Sequence, residues 1–325
     1  MRWTKPQSRR TGSWRSPASH EERRKHDDVS VNVRRIMRSD HVAGWAFAFP
    51  AVALIVVFGV VPIVWSALMS FQKTNLLSTP EWIGLDNYRA LPKDPLFKTS
   101  MVHAFIYAAL FVPLSVGGGL FAAVALNRHI RGIRFYRLAV FVPVVVSTIA
   151  TSIMFLWLFD PNFGLANWLL GLVGLGPFGF FTSSDGALYS IIAMTVWGWI
   201  GFDAIIYLAA LQGVPNELLE AAQLDGARSW GIFRNITLPL LGPATLFLVV
   251  FSTINAIQVF DEIYFLTKGG PGTATYVPVL YLFKLAFEQG IAGYAAAIAY
   301  VLLVAILILT VIQLWVGKRM VYYAS

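Results

Sequence analysis

The chain has 325 residues, of which 57% are apolar and 13% charged, and it contains no cysteine. Soluble proteins average about 45–50% apolar and about 25% charged residues, so a mean hydropathy of +0.64 marks a membrane protein. The missing cysteines exclude disulfides, cysteine-based zinc sites and thiol nucleophiles. The net charge of +8 is concentrated in residues 1–41, which hold 11 Lys and Arg against 5 Asp and Glu, a basic tail rather than a nucleic-acid groove.

Residues 1–41 are polar and rich in Arg, Ser and Pro, and read as a flexible cytoplasmic tail. A short amphipathic helix over 29–37 would set Arg34, Arg35 and Arg38 among lipid headgroups. A secretory signal is not expected, because the charged lead-in is too long and so is the apolar run behind it. Six apolar stretches follow at 43–70, 101–126, 138–159, 187–212, 242–266 and 291–316. Each is near or above the ~20 residues that cross ~30 Å of hydrocarbon, and backbone groups in lipid must bond internally, so each is expected to be a helix. His103 is the only ionisable group of the second, Asp203 lies in the fourth, and Asp261 and Glu262 sit near the end of the fifth.

The tail, the loops at 127–137 and 213–241 and the C-terminus together carry 19 Lys and Arg, against 6 in the loops at 71–100, 160–186 and 267–290. That bias places both termini in the cytoplasm. The expected organisation is a tail (1–41), a six-helix membrane domain (42–318) and a short cytoplasmic end (319–325). The external segments are aromatic and poor in charge, with Trp82, Tyr88 and Phe97 in one and Phe163, Trp168, Phe178, Phe180 and Phe181 in another, so they are expected to lie in the membrane interface.

Between the fourth and fifth spans, Pro215 begins a helix over 216–224, with Glu217 and Glu220 early, where the dipole favours acids. Gly226 can take the left-handed conformation that ends it. A second short helix is expected over about 228–236, which Pro239 prevents from simply continuing. Taken alone, these residues describe either a loop resting in headgroups or two short helices for another protein to grip.

The run Glu220-Ala221-Ala222, Asp225-Gly226-Ala227, Phe233, Ile236, Leu238-Pro239 and Pro243 resembles the EAA loop of permease subunits in binding-protein-dependent ABC importers. Phe260-Asp261-Glu262-Ile263-Tyr264, Leu266-Thr267 and Gly269-Gly270-Pro271 are similar to a signature of the carbohydrate branch, the maltose and glycerol-3-phosphate type. Thr275, Tyr281, Ala286-Phe287 and Gly293-Tyr294-Ala295 fit the stretch after it. Leu158-Phe159-Asp160-Pro161, Gly164, Asn167, Gly84-Leu85 and Asn87-Tyr88 fit the external turns, so the resemblance spans roughly residues 43–323.

The resemblance implies an all-α membrane fold of six helices in which Glu220, Ala221, Ala222, Asp225, Gly226 and Ala227 form the coupling loop. It implies a second homologous permease, a dimer of ABC ATPase subunits that bind ATP and Mg, and an extracytoplasmic solute-binding protein. It places pocket positions near Val144, Thr148, Thr195, Trp199, Phe202, Asn255, Ala256, Val259 and Asp261. The localisation it implies is a bacterial or archaeal cytoplasmic membrane.

From the residues themselves, Asp203 is a functional candidate as an ionisable group inside a span, or a structural one bonded to a neighbouring helix. Ser252, Asn255, Gln258 and Glu262 recur at three- and four-residue steps, a polar stripe expected to face protein or water. Trp, Phe and Asn together suit a sugar, whose ring faces stack on aromatics and whose hydroxyls bond amides. Thus Thr148, Thr195, Trp199, Phe202, Asn255, Gln258, Val259 and Asp261 form the candidate cargo path, with no catalytic or metal-binding residue expected. No Lys or Arg lies within a span, which favours a sugar or polyol over an anion, although helix dipoles could handle a glycerol phosphate or phosphodiester. The chain has no GxxxxGK[ST] loop and so is not expected to hydrolyse ATP or act as an enzyme. The alternative of another class is an ion-coupled secondary transporter, which would leave the EAA-like loop unexplained.

Overall fold

The computed structural model describes residues 40–75, 79–128 and 131–320. The tail helix expected over 29–37 lies outside them. The described chain divides after Trp65. Before that point, α1 (Asp40–Ile55) passes through a π turn at Val56–Val60 into the start of α2 (Val61–Ser70). The run Phe47–Ser70 is long and apolar enough to cross a membrane.

In the second unit, β1 (Gln72–Lys73) pairs antiparallel with β2 (Glu81–Trp82). Then come α3 (Asp86–Ala90), α4 (Pro95–Leu126), α5 (Ile133–Val145), α6 (Thr148–Leu158), α7 (Leu165–Leu172) and α8 (Ala187–Gln212). The chain continues through α9 (Asn216–Leu224), α10 (Ser229–Ile232), α11 (Leu238–Leu240), α12 (Gly242–Ile257), α13 (Asp261–Leu266), α14 (Pro278–Phe283) and α15 (Ala292–Met320). Among the described residues, five helical runs have the length and hydropathy of spans, or six if α5 and α6 count as one.

The core forms where α4 packs along α8 and against α12. Small residues let the helices approach closely. A Cβ on Gly119 of α4 would lie 2.3 Å from the Asp203 Cβ of α8, and one on Gly201 of α8 would lie 2.3 Å from the Val140 carbonyl oxygen of α5. One apolar cluster gathers Tyr107, Phe111, Ile191, Ile257, Ile263, Leu280 and Ile298. Another gathers Val116, Ala123, Ala204, Tyr207, Leu241 and Leu248, where the Tyr207 hydroxyl donates to Thr245 Oγ1 at 3.0 Å.

The structure corrects three expectations about these helices. The third stretch is not one straight helix: α5 and α6 meet at 103° across Val146 and Ser147. Pro143 lacks an N–H, the β-branched run Val144, Val145 and Val146 favours extended backbone, and Val146 and Ser147 take extended ψ angles of 135°. The fifth stretch also breaks, at Gln258 to Phe260, where Phe260 has φ −143°. The polar stripe therefore does not lie on one helix: Ser252 is buried within α12, whereas Glu262 belongs to α13. The short helix expected over about 228–236 is α10 only as far as Ile232, and a π turn at Phe233–Thr237 leads from it into α11. The last helix ends at Met320.

The turns expected on the external side are braced by their own residues. The Asn87 side chain donates to the carbonyls of Ser70 and Gln72 at 2.8 and 3.0 Å. Asn167 donates to the carbonyls of Asp160 and Phe178 and accepts from the Phe178 N–H. Asp94 caps α4 by accepting from the N–H groups of Leu96 and Phe97, while its other oxygen accepts from the hydroxyls of Tyr281 (2.6 Å) and Tyr294 (2.9 Å). One carboxylate thus ties the start of α4 to α14 and α15.

Burial raises the Asp94 pKa, but the bonds from Tyr281, Tyr294, Phe97 and Leu96 outweigh it and hold the group below its ordinary value. A carboxylate depressed in the folded state stabilises the fold above its unfolded pKa of about 3.9 and loses that contribution as pH falls through the lower folded value. Asp94→Ala is expected to cost about 0.5–2 kcal/mol through the lost cap alone. Thermal unfolding of wild type and Asp94→Ala across pH 3 to 7 checks this, since the wild-type advantage should shrink only below about pH 4.

Candidate functional site

The two helix breaks converge. One cavity of about 240 Å³ is lined by Val144, Val146, Thr148, Thr195, Trp199 and Phe202, with Phe251 and Glu262 among the other walls. A second, of about 210 Å³, shares Thr148, Thr195, Trp199 and Glu262 with it and adds Asn255, Ala256, Gln258, Val259, Phe260 and Asp261. Irregular backbone at membrane depth is tolerated where it lines a cavity, and here residues at both interruptions do so. All eight candidate path residues, Thr148, Thr195, Trp199, Phe202, Asn255, Gln258, Val259 and Asp261, line one cavity or both.

The walls combine aromatic and polar side chains. Trp199 meets Phe202 edge-on at 5.7 Å and Phe111 edge-on at 5.9 Å, while Phe202 stacks on Phe251 at 5.3 Å. Trp197, two positions from Trp199 and so roughly 200° around the helix, packs on Phe155 instead. The polar lining comes from Asn255, Gln258, Asp261 and Glu262. Thr195 and Asn255 each spend one bond on their own helix, to the carbonyls of Ile191 and Phe251. Tyr107 and Phe111 of α4 complete the second cavity. The sequence reading missed them, because they sit mid-helix in a largely apolar stretch, where a tyrosine and a phenylalanine read as core.

Asp203 lines neither cavity and is fully buried, accepting a hydrogen bond from Ser115 Oγ of α4. Of its two readings, the structural one describes this geometry. His103 likewise makes a local contact, its Nδ1 lying 2.9 Å from the Tyr276 carbonyl.

At the other site, α9 ends as the residues dictate. Gly226 has φ +80°, its N–H donates to the Gln223 carbonyl, and the Ala227 N–H reaches back to the Ala222 carbonyl at 2.9 Å. This is a Schellman ending, which a left-handed glycine closes. Glu220, Ala221, Asp225, Gly226 and Ala227 are exposed and Ala222 is half-buried. Leu224 and Trp230 are 89% and 69% exposed, a two-helix projection with apolar tips.

A bundle of apolar helices, with broken segments around an internal cavity and a projecting helical loop, is the architecture of a membrane transport subunit. Residues 115–322 match the family described as binding-protein-dependent transport system inner membrane component, and the chain belongs to that family. It is 36% identical over 296 residues to YesP of Bacillus subtilis, a probable ABC transporter permease, covering 90% of this chain and 95% of that one. It is 35% identical over 283 residues to the lactose transport permease LacF of Rhizobium radiobacter, covering 86% and 95%. With the trehalose/maltose transport permease MalF of Thermococcus litoralis it shares 31% identity over 276 residues, covering 85% and 93%. A chain in the crystal structure of a bacterial alginate ABC transporter, bound to a periplasmic protein carrying an alginate pentasaccharide, superposes with a TM-score of 0.79. That match covers 88% of this chain and 96% of the other at 22% identity, a likeness of fold.

Proposed function

We propose that this chain is one permease subunit of an ATP-driven importer, passing a neutral sugar or oligosaccharide through the cavity at the two helix breaks. The observation that carries the reading is the wall itself. Trp199, Phe202 and Phe251 offer faces for a sugar ring, while Thr195, Asn255 and Gln258 offer groups for its hydroxyls. Sequence relatives named for lactose, trehalose/maltose and arabinooligosaccharide transport support the same class. Asp261 and Glu262, with no Lys or Arg on either wall, disfavour an anionic cargo, so a glycerol phosphate or phosphodiester ranks second. The seclusion of Asp203 from both cavities weighs against an ion-coupled carrier.

In this reading a second, related permease completes the path, and an external binding protein delivers cargo. ATP and Mg belong to two copies of a separate ATPase subunit, which dock on residues 213–241. Closure of those subunits moves the projection at Glu220, Ala221, Ala222, Asp225, Gly226 and Ala227, switching the cavity from inward- to outward-facing. The test is ATPase activity of the purified complex, formed with the subunits encoded beside it, with and without binding protein loaded with lactose, trehalose or an arabinooligosaccharide. Stimulation by one loaded sugar is the expected result. If no ATPase subunit co-purifies, the docking assignment falls and the secondary-transporter reading takes its place.

A further inference from the structure

The external hairpin around α7 presents an apolar surface that cargo transport does not use. In α6, Thr148 and Thr151 line the cavity, while Ile149, Ile153 and Trp157 recur every four residues on another face, 43%, 50% and 68% exposed. At 3.6 residues per turn those three point away from the cavity-lining pair. The apolar face continues past the turn at Asp160: Trp157 meets Phe163 edge-on at 5.9 Å. Next, α7 exposes Leu165, Trp168, Leu169 and Leu172, the i, i+3, i+4, i+7 pattern of an amphipathic helix. Its inward side is pinned by Asn167, whose three hydrogen bonds hold the turn at Asp160 and the returning segment at Phe178.

We propose that α7 is an interfacial helix, lying in the headgroup layer with Leu165, Trp168, Leu169 and Leu172 in the acyl region and anchoring the half-span α6 that forms one cavity wall. The choice of lipid as occupant rests on three observations. First, the patch is continuous with the exposed side of α6, and in the transport reading given above the side away from the path is the lipid side. Second, residues 161–184 contain no charged side chain, and Trp157 and Trp168 suit the depth where tryptophan concentrates. Third, only six residues separate α6 from α7, a link that reaches at most about 20 Å and keeps α7 beside the end of its half-span. A soluble binding protein that must dissociate in every cycle would be poorly served by a face this apolar, because such transient interfaces are about as polar as ordinary surface.

The absence of native cysteine makes the test direct. Spin labels at Trp168→Cys, Leu172→Cys, Thr151→Cys and Asp185→Cys are placed one at a time in the full complex in lipid nanodiscs. Their collision rates with dissolved oxygen and with a water-soluble nickel chelate are then compared. The expected result is an oxygen-to-nickel ratio several-fold higher at 168 and 172 than at 185. A nickel-favoured ratio at both positions, matching 185, would show the helix in water and overturn the proposal. Low access to both reagents would show it buried against protein and overturn it equally, as would immobilisation of the labels on adding the binding protein. The label at 151 separates the two readings: oxygen-favoured access there as well as at 168 would sink the cargo path on the inner face of α6 while leaving the anchor standing.

Discussion

Gly226→Val is expected to abolish cargo uptake while leaving the chain inserted and its cavity intact. Gly226 closes α9 at φ +80°, and no atom lies within 4 Å of where its Cβ would stand. The substitution therefore acts on backbone conformation, not on packing. A left-handed conformation costs an L residue roughly 1–2 kcal/mol, and a β-branched side chain is among the worst tolerated there. Relief comes by rotating out of that conformation. The reach of the Ala227 N–H to the Ala222 carbonyl is then lost, and the chain leaves α9 in a new direction. Glu220 and Ala221 stay helical, but α10 no longer stands at the angle a docking ATPase would read. In proteoliposomes holding the complete transporter, ATP hydrolysis should continue without solute accumulation. Gly226→Asn is the companion variant, because asparagine accepts the left-handed region and should keep most of the uptake. Normal uptake by Gly226→Val would refute the mechanical role of this turn.

Gly119→Val is expected to produce a large loss of stability in the bundle. Its Cβ would lie 2.3 Å from Asp203 Cβ, 3.0 Å from the Asp203 carbonyl carbon and 3.1 Å from the Ala204 nitrogen. Two of these three atoms are backbone, so no side-chain rotation relieves the clash and α4 must move off α8. Overpacking of this kind costs about 1–3 kcal/mol. The same displacement pulls Ser115 from the buried Asp203 carboxylate, whose other oxygen already has no partner among the described residues. A buried group left unsatisfied adds about 1–3 kcal/mol, more when it is charged. Gly117→Val on the same helix meets nothing within 4 Å and is the control. Thermal unfolding in detergent should separate the two variants clearly, and equal melting temperatures would mean that the α4–α8 contact is not as tight as described.

Much of this protein was legible as sequence, for definable reasons. Hydrocarbon thickness sets span length, so 187–212 was read to the residue as α8, 43–70 and 101–126 lie within α1 to α2 and α4, and 291–316 lies within α15 but for its first residue. Local turn chemistry is also written in sequence: Pro215 at the entry to α9 and Gly226 at its exit stand where a helix start and a left-handed ending require them. The cavity was legible in part. Trp199, Thr195 and Phe202 share a face of α8 by helical spacing alone, and Asn255 and Gln258 announce themselves as amides in an apolar run.

What sequence could not yield was where the helices break and what the breaks enclose. The polar stripe over 252–262 assumed an unbroken period of 3.6, and the interruption at Gln258 to Phe260 turns Glu262 to the cavity while Ser252 stays buried in the bundle. The 103° bend between α5 and α6 escaped because an apolar run satisfies the membrane whether or not it is straight. Asp203 shows the same limit. Its charge in a span was visible, but its role depended on Ser115, 88 positions away, and on a glycine that lets α4 come near enough to present it. Composition and periodicity thus determined that the chain crosses a membrane, roughly where, and how its short helices begin and end, because each follows from interactions within a few residues or from solvent polarity. The closeness of α4 to α8, the meeting of two broken helices and the cavity between them were decided only by tertiary packing, because each depends on the shapes of surfaces far apart in the chain.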